Sequence, residues 1–376
     1  SEMILIDDIS KGENIDDFLV YFNSEDSELI VVGASSYEDG IDGTFFTISG
    51  SILDDDIYGT HVDSDHNIIS PGSGVVIVDE GGTQSAKSIE YAGNNEAFIC
   101  WSDARLGENI DIYGQRLDMN MQSVFDNNGI PIANTSGLET RPRTTFVNNT
   151  TSFITWKSGD ESAKILYQFV DHTGIVFGEP KAVSDFDGIQ TAPRVKRSKT
   201  GEVFVQWKDL RFDPVDGDIF MQKISTNGDA LWPEGVQVDV SEGVNFSGRF
   251  SANNAGGFNI FWEKGVYPEV DILFQSFDEY GQALSEQSLV VAGGDGYQFA
   301  PISIGSISAG LYIVYADQGN GSIDLKVQRI NSSMALEWEA SGNTAMVGLD
   351  GDVNYTMPFS IGDEDLYFLW EDNRAS

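Results

Sequence analysis

Apolar positions in this chain come in short runs broken by Gly, Asn and Asp, without the sustained 3.6-residue rhythm of a helix. Between residues 190 and 240 the runs predict four strands. PRVKRS leads through the turn Lys199-Thr200-Gly201 to EVFVQW, which is highly apolar. DIFMQKI follows, then the turn Thr226-Asn227-Gly228, then ALWPEGVQV. Turns of this composition suit hairpins, because Gly and Asn accept the backbone angles that tight reversals need.

The unit repeats. WSDARLGENIDIYGQ from Trp101 returns as WKDLRFDPVDGDIFMQ from Trp207, WEKGVYPEVDILFQ from Trp262 and YADQGNGSIDLKVQ from Tyr315, and restarts as WEDNRAS at Trp370. The Gln closing the second run recurs at Gln115, Gln168, Gln222, Gln275 and Gln328, at intervals of 53 to 55 residues, with Thr60 in its place earlier. Trp156 marks a further copy, and Gly33 stands where the first aromatic would be. A fixed period of this length signals a repeat architecture. Four antiparallel strands per unit predict an all-β, seven-bladed β-propeller of four-stranded antiparallel blades, with the apolar second strand covered on both faces by neighbouring blades.

Six periods are complete and the seventh stops after two strands. MILID at residues 3–7 matches GVVIVD at 74–79, so the N-terminal strand is expected to complete the last blade. Residues 1–376 then read as one propeller domain, a segment of a longer protein.

The motif resembles the W-x-D-x-R … D-I-Y-x-Q blades of secreted and cell-surface bacterial β-propeller proteins of the Bacteroidota type. That resemblance implies an extracellular or cell-surface location, often ahead of a type IX secretion or anchoring domain. It implies fold more than function, since propellers host lectins, adhesins, lyases, hydrolases and scaffolds.

Charge narrows the partners. Sixty acidic against 21 basic residues give a formal charge of −39, which repels nucleic acid and anionic membranes. Residues 1–86 hold 19 acids and the single base Lys11, whereas residues 141–211 hold 11 bases and 8 acids. No apolar run approaches the roughly 18 residues of a membrane helix, so no direct membrane insertion is expected. Cys100 is the only cysteine, so no intrachain disulfide can form.

Catalytic signatures are scarce: there is no G-x-S-x-G, no H-E-x-x-H and no P-loop. The histidines are His61, His66 and His172. Asp63-Ser-Asp65-His-Asn67 begins like a calcium loop but has Ile68 where Gly is required, so no cofactor is expected beyond adventitious or structural calcium. Residues present in most blades read as scaffold. Asp103, Asp209, Asp317 and Asp372 follow the aromatic by two, and Arg105, Arg211 and Arg374 follow it by four. The Asp is expected to cap its loop and the Arg to brace the next blade.

Places where the repeat breaks are better site candidates. The first unit carries a long insertion between Gly33 and Thr60 with Tyr37, Asp39, Asp42, Phe45 and Phe46. Arg143, Arg194 and Arg249 each stand 13 residues before a Trp, and Lys157-Ser158 stand after Trp156 where the repeat Asp would fall. Simple hairpin counting places Arg143 opposite Ser158, Arg194 opposite Asp209 and Arg249 opposite Lys264. Two of these arginines would then lack a counter-ion and could grip a carboxylate or sulfate. With no catalytic constellation visible, the expected function is a non-catalytic extracellular binding module, adhesin- or lectin-like, for a glycan or protein partner. The alternatives are a polysaccharide lyase or glycosidase with carboxylates and Arg at the channel mouth, and a structural spacer.

Overall fold

The computed structural model describes residues 15–23, 28–37, 48–51, 54–55, 57–59, 353–361 and 365–372, together with 75–346 apart from 94–95, 108, 119, 136, 241–243, 246–247, 307–309, 320–322 and 340–341. MILID, the Asp63 loop, His61, His66, Asp39, Asp42, Phe45 and Phe46 lie outside these residues. For Tyr37 and Trp370 only the backbone is described. Among the described residues all regular structure is β, in four-stranded sheets that are predominantly antiparallel.

The chain divides into two compact units, residues 1–197 and 198–376. In the first unit, Gln84–Gly93, Glu96–Asp103, Asp111–Leu117 and Ile130–Ala133 form the Trp101 sheet. Glu139–Asn148, Thr151–Ser158, Lys164–Asp171 and Lys181–Ala182 form the Trp156 sheet. Before them lies a sheet of Ile15–Asn23, Glu28–Tyr37, Ile48–Ser51 and Asp54–Asp55, in which part of the predicted insertion pairs with the strand ending at Tyr37. In the second unit, Val203–Asp209, Asp218–Ile224 and Val236–Gln237 carry Trp207. Arg249–Ala252, Phe258–Val266, Glu269–Phe277 and Leu289–Ala292 form the Trp262 sheet. Gln298–Ser306, Gly310–Asp317, Asp324–Ile330 and Asn343–Met346 form the Tyr315 sheet, and Val353–Ile361 pairs with Asp365–Asp372.

The period holds to the residue. In every sheet the repeat Gln faces the residue two before the aromatic: Ile99↔Gln115, Ile154↔Gln168, Val205↔Gln222, Ile260↔Gln275 and Ile313↔Gln328. Each Gln is buried, and its amide donates to a carbonyl in the segment leading to the fourth strand, as from Gln222 Nε2 to Trp232 O at 2.7 Å and from Gln115 Nε2 to Asp126 O at 2.9 Å. The Gln222 carboxamide oxygen also accepts from the amides of Lys223 and Trp232. A loop that would otherwise bury bare backbone groups is thus satisfied by one side chain.

Trp101, Trp156, Trp207 and Trp262 are 0–1% exposed. Trp101 packs among Ile57, Ile77 and Val78, Trp156 among Phe98, Cys100 and Ile112, and Trp262 among Phe204, Ile219 and Met221, always on the preceding sheet of its own unit. The second strand is therefore buried on both faces, as its wholly apolar sequence implied.

Asp103 and Asp209 each form a latch at the strand end. Trp101 Nε1 donates to Asp103 Oδ2 at 2.7 Å, and Arg105 reaches both oxygens through Nε at 2.9 Å and Nη2 at 2.6 Å. Trp207, Asp209 and Arg211 repeat this geometry at 2.9, 2.9 and 2.7 Å. The main-chain N–H two residues on also donates to the same carboxylate, so the Asp caps its loop as expected. The expected role of the Arg is corrected: it folds back onto its own sheet, over the Tyr113 ring at 3.9 Å and the Phe220 ring at 4.3 Å. A guanidinium fork fits the carboxylate two residues away better than a distant one.

Candidate functional site

Three first strands carry near their start an irregularity that simple counting missed. Arg141, Ala192 and Ala300 each stand 15 residues before the aromatic with φ of 57°, 52° and 53°. The pairing slips there, between Thr140 and Arg143 and between Phe299 and Ile302. An extra residue in one strand resets every pairing beyond it. The residue facing the position two after the aromatic is therefore 17 before it: Gln84↔Asp103, Glu139↔Ser158, Gln298↔Asp317, and Asn245↔Lys264 as an isolated bridge.

The arginine register is also corrected, here by the pairing on the hairpin-turn side of the strand start. Arg143 faces Thr155 and Arg249 faces Phe261, not Ser158 and Lys264. Arg143 is half-buried, donates from Nη1 to Pro142 O at 2.8 Å, and bears electrostatically on the buried Cys100 thiol. Arg194 is half-buried in Gln190–Arg197. The oxygens of Asp209 serve Trp207 and Arg211. Lys157 pairs with Asp160 at 3.3 Å, and Lys264 with Asp239 at 2.5 Å. Arg249 is exposed, and its charge bears on the Glu263 carboxyl. His172 sits exposed in the turn after Asp171.

The corrected register also explains why the Trp156 sheet tolerates Ser158 in place of Asp. Glu139, across the strand, takes over: Trp156 Nε1 donates to Glu139 Oε2 at 2.5 Å, and Ser158 and Thr135 hydroxyls donate to Oε1. The carboxylate has moved to the opposite strand while the indole keeps its acceptor.

The Trp262 sheet has no such replacement. Lys264 and Val266 occupy the Asp and Arg positions, Asn245 faces Lys264, and the buried Trp262 indole N–H has no hydrogen-bond partner. Without a latch the second and third strands run on to Val266 and Glu269 and close in the tight turn at Tyr267-Pro268. This is where chemistry-bearing groups collect.

Glu263, next to Trp262, faces the following sheet. Its Oε1 accepts from the amide of Ala300 at 2.8 Å, and its carboxyl takes a hydrogen bond from Tyr297. Ala300 is the bulged residue of its strand, whose amide is thereby aimed away from its own ladder. Burial pushes the Glu263 carboxyl above the ordinary range, against the opposing pull of that amide, the Arg249 charge and the Tyr297 hydroxyl. Burial and the neighbouring Glu263 in turn raise Tyr297, keeping its phenol protonated. Tyr297 stacks on Phe299 at 4.4 Å and 14°, and meets Tyr267 edge-on at 5.6 Å. Desolvation makes this half-buried carboxyl a weaker acid than an ordinary Glu, the direction in which a proton donor is tuned.

Sequence reading had marked Arg249 but not Glu263, Tyr267, Tyr297 or Phe299. The available signal was the loss of both Asp and Arg after Trp262, where the Trp101 and Trp207 copies keep both.

No protein-family model matches the chain, and no curated protein matches its sequence. Solved structures do resemble it. Polysaccharide lyase Uly1 aligns over 90% of this chain and 87% of its own, with a TM-score of 0.53 and 10% identity. A PL25 ulvan lyase bound to -[GlcA(1-4)Rha3S]- aligns over 79% and 80%, with a TM-score of 0.52 and 11% identity. A thermostable family-43 glycoside hydrolase aligns over 70% and 93%, with a TM-score of 0.34 and 10% identity. The fold is propeller-like. The expectation of a non-catalytic binding module is corrected by these likenesses, because the structures sharing the fold are polysaccharide lyases, and the enzymatic alternative is favoured.

Proposed function

We propose that this chain is a polysaccharide-cleaving enzyme, a lyase or a glycosidase, with Glu263 as the proton donor to the departing glycosidic oxygen. The observation that carries this reading is the half-buried Glu263 carboxyl, raised by desolvation and fixed by the Ala300 amide and the Tyr297 hydroxyl at the rim of the second unit. Both reaction classes need a proton on the leaving oxygen, and a carboxylic acid tuned upward is the kind of group that supplies it. Tyr297 and Ala300 position that acid, and Arg249 supplies positive charge beside it. The fold shared with polysaccharide lyases supports a glycan substrate.

The same reading keeps the seven-period propeller, the strand exchange by residues 3–7 and an extracellular location as proposals. A glycan outside the cell is the substrate such an enzyme would meet, and the high acidic charge suits that medium.

The test is a screen of uronate-containing and neutral polysaccharides with two readouts. Elimination gives an ultraviolet-absorbing unsaturated end, and hydrolysis gives reducing ends alone. Turnover should appear on at least one polymer and fall by about 10²–10⁴-fold in Glu263→Gln, the usual contribution of a general acid. Silence on the whole panel, or full activity in Glu263→Gln, overturns the reading.

A further inference from the structure

We propose that Tyr267, Tyr297 and Phe299 form a stacking subsite for one pyranose ring of a polysaccharide chain, at the tip of the long hairpin beside Glu263. This subsite rests on the reading of Glu263 as part of a polysaccharide-acting site.

The geometry is built rather than incidental. Tyr297 and Phe299 alternate on one face of their strand and lie nearly parallel, and Tyr267 stands across the edge of Tyr297. Tyr267 is 68% exposed, as is Val266 beside it, so the hairpin presents apolar surface to water. Two backbone contacts tie the loop before Tyr297 to this hairpin: Gly296 N donates to Glu269 Oε2 at 3.1 Å, and Val270 N donates to Gly296 O at 3.2 Å. Beyond the ring, the Gln318 amide donates to Tyr297 O at 2.9 Å. The aromatic rings are thus carried on hydrogen-bonded backbone on both sides.

A pyranose is amphipathic in the same pattern. Its axial C–H face is apolar and polarised toward positive, matching the negative face of an aromatic ring. Its equatorial hydroxyls need acceptors and donors at the edge, and Glu263 and Glu269 stand there. An exposed Tyr267 beside a half-buried aromatic pair, with carboxyl groups at its margin, suits a sugar better than an apolar peptide, which would leave those carboxyls without donors. The tight turn at Tyr267 and the elongated strands below it exist only in the sheet that has lost its latch among the sheets that carry Trp101, Trp207 and Trp262.

Affinity electrophoresis tests this, with native gels cast in ulvan, polygalacturonate, alginate or arabinan. The wild-type chain should be retarded by at least one polymer. Tyr267→Ala should weaken that retardation by about tenfold or more in Kd, a loss of roughly 1.4 kcal/mol. Tyr267→Trp should keep it, because the ring face is what binds. Thermal melts should be unchanged in both variants, since Tyr267 packs largely against water. Migration unaffected by every polymer, or Tyr267→Ala as strongly retarded as wild type, overturns the subsite. The outcomes separate from those for catalysis. Glu263→Gln should lose turnover but keep its retardation. Retardation with no turnover on any polymer would sink the catalytic reading and leave the subsite standing. Turnover with Tyr267→Ala fully active and fully retarded would do the reverse.

Discussion

The strands Val203–Asp209 and Asp218–Ile224 that carry Trp207 and the strands Phe258–Val266 and Glu269–Phe277 that carry Trp262 belong to one unit and share register and a buried indole. They differ where the second strand ends. After Trp207, Asp209 and Arg211 close the chain back on itself, and the Arg211 guanidinium lies over Phe220. Both oxygens of the Asp209 carboxylate are engaged by Trp207 and Arg211. After Trp262 the same positions hold Lys264 and Val266, the indole N–H is left without a partner, and the strands lengthen. The carboxyl that remains, Glu263, faces the next sheet and meets Ala300 and Tyr297. A repeat that satisfies itself is scaffold, and a copy that gives up its internal partners leaves groups for something else.

The largest effect on that contrast should come from breaking the latch. Asp209→Ala strips Arg211, whose side chain is 4% exposed, of its counter-charge. It should cost about 3–5 kcal/mol in denaturant unfolding, as for other buried pairs that lose one partner. Lys264→Ala in the unlatched sheet should cost less than half as much, because Lys264 and Asp239 keep 15% and 11% exposure. Equal losses would erase the distinction between the two sheets.

A finer comparison replaces each indole with a ring that has no donor. Trp207→Phe takes a hydrogen bond from Asp209, whereas Trp262→Phe removes an N–H that has no partner. With similar loss of volume in both, Trp207→Phe should be worse by about 1.5–3 kcal/mol, the range for hydrogen bonds to charged groups. Melting and denaturant curves on the pair would show it. A larger loss for Trp262→Phe would mean the missing acceptor is not what sets the sheets apart.

The Trp156 sheet offers an intermediate case, because its acceptor has crossed strands. Glu139→Ala orphans the Trp156 indole and two hydroxyls and should cost about 2–3 kcal/mol. Combining Glu139→Gln with Ser158→Asp recreates the Gln84/Asp103 arrangement and should come within about 1 kcal/mol of wild type. If the double variant is no better than Glu139→Ala, the two positions are not interchangeable and the latch depends on more than an acceptor.

The smallest effects should appear as pH dependence of opposite sign. The Asp209 carboxyl is held below its ordinary range by Arg211 and Trp207, in spite of burial. The folded state then binds fewer protons than the unfolded state, so this stabilisation is present above the ordinary Asp range and is lost as pH falls through the depressed pKa. Glu263 is raised, so the folded state binds more protons, and stability declines as pH rises from the ordinary 4.5 through the raised value. Asp209→Asn should flatten the acid limb of a stability–pH profile and Glu263→Gln the limb above pH 4.5. In the proposed acid role, activity should also fall as pH rises through the Glu263 pKa. A rate profile with no such descending limb would remove Glu263 from that role.

The sequence by itself determined the strands, their grouping in fours and the spacing of the units. These follow from local alternation, from Gly- and Asn-bearing turns, and from an aromatic recurring at 51 to 55 residues and a Gln at 53 or 54. It also marked Asp103 and Asp209 as loop caps, because their partners lie within four residues. Tertiary structure decided which distant groups meet. The bulges at Arg141, Ala192 and Ala300 depend on backbone angles that no strand pattern announces, and where the pairing is seen on both sides of them it shifts by one residue, while the register on the hairpin-turn side already sets Arg143 opposite Thr155. Glu139 standing in for an absent Asp, and Glu263 meeting an amide 37 residues away, are contacts across strands and between sheets. Periodicity records how each strand lies in its own sheet, but a site made by neighbouring sheets exists only once they pack face to face.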